Sequence, residues 1–467
     1  MILALLACSG GDDSAPAAPS PVDSDPTPAD SAAPDTRGLL PLARLPELED
    51  LDPADGAVRV ALVAAPHTHS FTDTDNTTHT VDGFAYSSSG TPLIRAQLGD
   101  TFTADFTNDL DEPTTIHWHG LAVPYDMDGV TWTADPIGPG EGFTYTFTLT
   151  EPGTFWFHPH FNTDEQVSGG LYGVLIVEDP ADPAVDEDLV LLIDDWDLDP
   201  ITAEIDDMDH DHVAAEGSWT VNGQLQPTLT LDGGSALRVR VLNVSNLGYL
   251  DLTWPDIRQL GSDQGIGGAL SSPDSIVLSP GDRAEAEWLI GEDSFTLDDA
   301  PYVHQGGSAW GEASALMDVE IGTPSAAPSG LDWPFSGLMP TPDPGHTDIT
   351  YVFSGSRETG VWLMNGAVFP DGDIDEVTLG DDAIIEVRNL SPAEHPYHLH
   401  GMPFEVLSID GIAPAARQME DTLNLGVYST VRLRVEGNNP GDWMSHCHIL
   451  PHAEGGMMSV LRVNSPK

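Results

Sequence analysis

Short apolar runs separated by turn residues recur from Val58 to the C-terminus. Examples are Val58–Val63, Thr101–Phe106, Phe143–Leu149, Val174–Val177, Leu189–Ile193, Ala236–Val244, Ser275–Leu278, Ile384–Val387 and Val431–Val435. Several alternate apolar and polar residues, as in Thr144-Tyr145-Thr146-Phe147-Thr148-Leu149. A period of two is that of a half-buried strand. The 46 glycines and 39 prolines punctuate these runs. The pattern predicts an all-β chain of sandwiches joined by tight turns.

A local theme appears three times. Gln97-Leu98-Gly99-Asp100, Leu231-Asp232-Gly233-Gly234 and Leu379-Gly380-Asp381-Asp382 each precede a strand. Each strand ends in a comparable segment: Thr107-Asn108-Asp109-Leu110, Leu242-Asn243-Val244-Ser245, and Arg388-Asn389-Leu390-Ser391. A repeat at domain length implies three related sandwiches. Their expected extents are 38–183, 184–322 and 346–467, with a Pro/Gly/Ser-rich linker over 323–345.

Composition adds constraints. There are 15 basic and 76 acidic residues, a net charge of −61. Such a surface repels nucleic acid and anionic lipid headgroups. It suits a salty setting, or recruitment of a cationic substrate. The two cysteines are Cys8 and Cys447, so no disulfide is expected in the globular part. Leu5-Leu6-Ala7-Cys8 resembles a bacterial lipobox, and residues 9–37 are an acidic Asp/Ser/Pro/Ala tether. The expectation is an exported protein, in the periplasm or at the cell surface, anchored through a lipid on Cys8; the alternative is that residues 1–7 are an ordinary signal remnant and Cys8 is incidental.

Ten of the 17 histidines fall in four clusters. They are His117-Trp118-His119, His158-Pro159-His160, His395-Pro396-Tyr397-His398-Leu399-His400, and His446-Cys447-His448 with His452. The first two lie in the first repeat, the others in the third. On a strand, residues i and i+2 point to one face, roughly 6.5–7 Å apart. Their imidazoles can reach one metal or two neighbouring metals. In His446-Cys447-His448 the cysteine faces away from its neighbours, so it can serve a different site. Cys447, His395 and His452, with Met457 as a weak axial ligand, fit a trigonal blue-copper site. The other eight histidines form an all-nitrogen set suited to copper that meets dioxygen. The spacing matches no structural zinc pattern, and a cysteine nucleophile leaves nine clustered histidines unexplained.

These residues resemble the multicopper oxidases. The resemblance runs from about residue 55 onward and includes Asp111-Glu112-Pro113-Thr114-Thr115-Ile116, Gly153-Thr154-Phe155-Trp156-Phe157 and Gly170-Leu171-Tyr172-Gly173. It implies three cupredoxin-like Greek-key β-sandwich domains in tandem, as a monomer, holding four copper ions. Type 1 copper would be held by His395, Cys447, His452 and Met457, and type 2 by His117 and His398. The type 3 pair would share His119, His158, His160, His400, His446 and His448. The cluster would lie between the first and third domains, with the middle one a spacer.

The resemblance also points to Asp128 as a proton source, because forming water from dioxygen consumes protons. The alternative for Asp128 is a surface carboxylate. Some relatives carry a glutamate directly after the last histidine ligand; here that position is Ala453, and Glu454 is the candidate substitute. Glu394 is a candidate rim residue for cationic or hydrogen-bond-donating substrates. His210-Asp211-His212 reads as a solvated loop, with an accessory metal patch as the alternative, and His67, His69 and His79 have a similar status. The implied activity is laccase-like oxidation of phenols or aromatic amines. Oxidation of cuprous or ferrous ion is the second reading, and a non-catalytic copper-holding protein of the same fold the third.

Overall fold

A computed structural model describes residues 40–198, 218–303, 309–310, 313–356 and 359–464. Cys8, its tether and the His210-Asp211-His212 patch lie outside these residues.

The described chain is built almost entirely of strands, with two short helices, Thr163–Ser168 and Leu450–Glu454, and one 3-10 turn. Six sheets of four to six strands stack as three sandwiches. In the first, Thr78–Ala85, Ala57–Thr72, Thr101–Asn108 and Gly142–Thr148 face Leu93–Gln97, Gly173–Glu178, Gly153–His158 and His117–His119. The alternation seen around Phe147 is realised: Tyr145 and Phe147 are buried and their threonine neighbours exposed. The second and third sandwiches each pair a six-stranded with a five-stranded sheet. Non-consecutive strands are neighbours in all of them, as a Greek key requires.

Each sandwich has its own core. The first packs around Trp118, Phe102 and Phe157, the second around Trp254, Trp288 and Leu250, the third around Trp443, Tyr397 and Phe353. Each large apolar side chain contributes roughly 1.5–3 kcal/mol by leaving water.

The internal repeat has a structural cause. Asn108, Asn243 and Asn389 are buried at the ends of equivalent strands. Asn108 Nδ2 donates to the carbonyls of Glu112 and Ile137 (2.9 and 2.8 Å). Asn243 Nδ2 donates to Gly248 and Leu278, and Asn389 Nδ2 to Ala393 and Gly426. Each Oδ1 accepts the backbone N–H two residues on. The side chain thus satisfies backbone groups where the ladder ends and the chain must turn.

The histidines read as loops at 67, 69 and 79 lie instead on the hairpin Ala57–Thr72/Thr78–Ala85. His69 packs on Trp196 and its Nε2 lies 3.0 Å from the Phe84 carbonyl.

Candidate metal centre

Register places the histidines. In the third sandwich, Tyr397 pairs with Cys447 and His398 with His446. Side chains alternate across a strand, so His395, Tyr397 and Cys447 share the core face. His398, His400, His446 and His448 take the opposite face. In the first sandwich, His117 pairs with His158 and His119 with Trp156. The two histidine-bearing faces meet, and the four clusters converge.

On the core face Cys447 Sγ lies 3.5 Å from His395 Nδ1 and 3.7 Å from His452 Nδ1, and the two nitrogens are 3.2 Å apart. Three ligands about 2.0–2.3 Å from one ion in a trigonal plane stand roughly 3.5–4 Å apart, so the triangle fits a single ion. Met457 is buried beside it; its carbonyl accepts from Cys447 N and its N–H donates to the His452 carbonyl. Trp362 stacks obliquely on His452, with ring centroids 4.0 Å apart.

Across the strand the eight remaining histidines divide by geometry. His119, His158 and His448 bring donor nitrogens within 4.8 Å of one another, as do His160, His400 and His446. His117 and His398 face each other through Nε2 atoms 3.5 Å apart. Six rings have one nitrogen committed to a protein oxygen. His117 Nδ1 meets the Asp128 carbonyl, His158 Nδ1 the Pro159 carbonyl, His398 Nδ1 the Asp421 carbonyl and His446 Nδ1 the Cys447 carbonyl. His400 Nδ1 meets Asp128 Oδ2, and His119 Nε2 meets Asp421 Oδ1, both at 3.0 Å. This fixes the tautomer and aims the other nitrogen inward. His119 Nδ1, His158 Nε2 and both nitrogens of His448 are buried without a hydrogen-bond partner. Buried polar atoms left unpaired are costly, and a metal ion would satisfy them.

Burial, reinforced by neighbouring imidazoles, holds His119, His158, His160, His398, His400 and His448 well below the ordinary histidine value. Burial likewise lowers His446, to about 4. Neutral imidazole is the form that binds metal. Burial also pushes the Cys447 thiol up, so without a metal it stays protonated. A stability prediction follows. A histidine depressed in the fold stabilises it above the unfolded value of about 6.5, and that stability is lost as pH falls. Half-buried Asp195, raised to about 6, and buried Asp299, raised to about 7, act oppositely and lose stability as pH rises through those values. Copper-free protein is therefore expected to be most stable near pH 6–7, with a steep acid limb. Denaturant unfolding across pH checks this; a flat acid limb would contradict it.

Asp128 is not a surface carboxylate: it is fully buried, bridging His117 of the first sandwich and His400 of the third. Gly129 makes this possible. Its φ is +73°, and a Cβ there would meet the Ile116 carbonyl at 1.8 Å. Glu394 is a correction. Only 2 % exposed, it accepts from Tyr302 Oη (2.8 Å) and Asn424 Nδ2 (2.6 Å), so it presents no charge at a rim. Tyr302 of the second sandwich covers it. Glu454 is exposed and accepts from the Thr163 backbone N–H at 2.6 Å, at the start of the helix Thr163–Ser168.

The middle sandwich is more than a spacer. Arg283 lies fully buried, its Nη1 and Nη2 donating to Asp421 Oδ1 and Oδ2 at 2.7 and 2.6 Å. Asp421 in turn holds His119 and His398. Gly281, at φ +89°, packs so closely on His448 that a Cβ would lie 2.9 Å from the ring. Asp421 and Arg283 were missed in the sequence. The available signal was a scarce arginine inside an apolar alternating strand, Arg283-Ala284-Glu285-Ala286.

Family comparison agrees with this geometry. Two multicopper oxidase family models match residues 67–182 and 340–467, together just over half of the chain. The chain belongs to the multicopper oxidase family. It is 27 % identical to multicopper oxidase MmcO of Mycobacterium tuberculosis, over 79 % of this chain and 81 % of that one. It is 27 % identical to Laccase-1 of Cryptococcus neoformans var. grubii, over 79 % and 75 %. Among solved structures it superposes on a Campylobacter jejuni multicopper oxidase, described as a metallo-oxidase, with TM-score 0.77 and 25 % identity, covering 93 % and 99 %. The oxidase is a copper-dependent oxidoreductase with dioxygen as acceptor. Its fold is the tandem cupredoxin-like sandwich.

Proposed function

We propose that the oxidase is laccase-like, taking electrons one at a time from phenols or aromatic amines. One observation favours an organic donor. Among the described residues, every group of three or more His, Cys, Asp or Glu side chains able to hold a metal belongs to the buried histidine shell. Among those residues no separate set stands ready to receive a metal-ion substrate; His210 and His212 lie outside them. Oxidation of cuprous or ferrous ion is the second reading, favoured by the net charge of −61 and by the C. jejuni neighbour. Dioxygen uptake with phenols, aromatic amines, Cu(I) and Fe(II) as donors separates the two. Rates with the metal ions exceeding those with every organic donor would reject the first.

The residues divide the labour. His395, Cys447 and His452, with Met457, would hold type 1 copper; His117 and His398 type 2; His119, His158 and His448 one type 3 ion, and His160, His400 and His446 the other. Bound copper supplies one-electron redox chemistry and the affinity for dioxygen. The protein supplies the path. Cys447 is covalently joined to His446 and His448, and the His446 ring also bonds the Cys447 carbonyl at 2.8 Å. Trp362 and the buried rings around it exclude water from the electron-entry side.

Asp128 would orient His117 and His400 and pass protons toward the water being formed. Asp128→Asn is expected to slow dioxygen-driven reoxidation by about tenfold or more while leaving reduction of the blue site unchanged. Stopped-flow traces of both half-reactions check it, and equal reoxidation rates would remove Asp128 from proton supply. Export and a lipid tether on Cys8 remain part of the proposal, motivated by Leu5-Leu6-Ala7-Cys8. Mass spectrometry of the membrane-bound N-terminus tests that, an unmodified Cys8 being the contrary result.

A further inference from the structure

Trp118, Trp156, Trp362 and Trp443 are packed away from water, none more than 4 % exposed. Trp132 is 37 % exposed. It stands on the turn that follows Asp128, where the Thr133 and Ala134 N–H groups both donate to the Val130 carbonyl. Its Nε1 donates to Asp442 Oδ2 at 3.3 Å. Asp442 is itself held by Arg462 through two hydrogen bonds of 2.6 and 2.7 Å. The indole is thus pinned by its edge between the first and third sandwiches, while part of the ring meets solvent.

A single exposed apolar residue needs no explanation, but Trp132 is one end of a strip. It meets Phe369 edge to face, with ring centroids 5.4 Å apart at 63°. The neighbour of Phe369, Val368, is 42 % exposed. Val368 lies on Gly456 so closely that a Cβ there would stand 2.4 Å from its Cγ1. The Phe369 N–H donates to the Gly456 carbonyl at 3.0 Å. Gly456 is peptide-bonded to Met457, whose carbonyl accepts the Cys447 N–H at 3.1 Å. An apolar strip therefore leads from solvent to the trigonal site. The imidazole flank offers no such opening. His452 is 3 % exposed and His395 0 %, with Trp362 against both rings. Glu394 beside them is covered by Tyr302.

We propose that Trp132 is a specificity-determining residue, a docking platform for planar aromatic donors whose electrons reach the type 1 ligands along Phe369, Gly456 and Met457. A flat ring held rigid at the surface suits another flat ring, because aromatic pairs attract beyond the area they bury. The carboxylate beside the indole, Asp442, is already paired with Arg462, so the attraction at this platform is aromatic rather than ionic. A docked phenol loses one electron to the bound type 1 copper and its hydroxyl proton to solvent, and leaves as a phenoxyl radical. Four such events supply the four electrons that one dioxygen takes up. Trp132 binds the ring and keeps its own redox state throughout.

The inference rests on the reading of the oxidase as taking organic donors, and the test separates the two. Copper-loaded parent, Trp132→Ala, Trp132→Phe and Phe369→Leu are compared with guaiacol and with hexaammineruthenium(II), a one-electron donor without a ring. Trp132→Ala is expected to lower kcat/KM for guaiacol about fivefold, mostly through KM, with no comparable fall for the ruthenium donor. Trp132→Phe keeps a ring but loses the bond to Asp442, and should retain at least about half of the parent value. A purely structural Trp132 would lose as much on change to Phe as to Ala. Phe369→Leu should lower kcat for guaiacol more than it raises KM. Copper-free protein gives a reading without turnover. With tryptophan labelled at the indole nitrogen, the Trp132 N–H signal is assigned by NMR from its absence in Trp132→Phe. It should shift on titration with para-cyanophenol, which mimics the donor ring, and the Trp362 signal should not. Equal guaiacol kinetics in parent and Trp132→Ala, an equal loss with both donors, or an unmoved Trp132 signal overturns this inference alone. A parent that oxidises Cu(I) or Fe(II) faster than every organic donor overturns the reading beneath it.

Discussion

Cys447→Ser is expected to abolish both the blue absorption and donor oxidation while leaving the histidine-only coppers in place. With copper bound, the thiolate would be the soft ligand that makes the site blue and keeps both copper oxidation states accessible. A serine oxygen is harder and its hydroxyl far less acidic, so it cannot replace that bond. Cys447 faces the core with His395, whereas His446 and His448 face the opposite way. The change therefore removes one ion and the electron path without touching the other eight imidazoles. Absorption and electron paramagnetic resonance spectra read the two effects separately. A variant that stayed blue would reject the assignment of Cys447.

Arg283→Met is expected to give the largest loss of stability. The guanidinium is fully buried and holds Asp421 with two charge-assisted hydrogen bonds. Removing it leaves Asp421 and Asp263 without their cation, and breaking a buried pair in this way costs about 3–5 kcal/mol. Because Asp421 also fixes His119 and His398, copper content should fall with stability. Adding Asp421→Asn removes the stranded charge and should recover part of the loss, as coupled neighbours do. Denaturant unfolding and metal analysis check both. A loss below about 1 kcal/mol would show that the middle sandwich does not brace the cluster.

Local rules carried most of the site in the sequence, and long-range packing carried the rest. The split of His446-Cys447-His448 between two faces follows from strand period alone, and the register confirms it. The Asn108, Asn243 and Asn389 segments marked three related sandwiches, although their bonding to turn carbonyls needed the structure to explain. Asp421 was invisible because one aspartate among 76 acidic residues carries no signal, and its partner Arg283 lies 138 positions away. Glu394 misled for a related reason. Its place beside His395 suggested a rim, but Tyr302 from another sandwich covers it. Which groups end up facing solvent depends on how the sandwiches pack, and no single strand's pattern reports that.

The most direct test is the stoichiometry of dioxygen consumption by the copper-loaded oxidase with a one-electron phenolic donor. A trigonal thiolate site joined through Cys447 to a histidine cluster that would hold three ions predicts one dioxygen consumed per four donor molecules oxidised, with no peroxide released. One dioxygen per two donors with peroxide accumulating, or no uptake at all, would contradict the account.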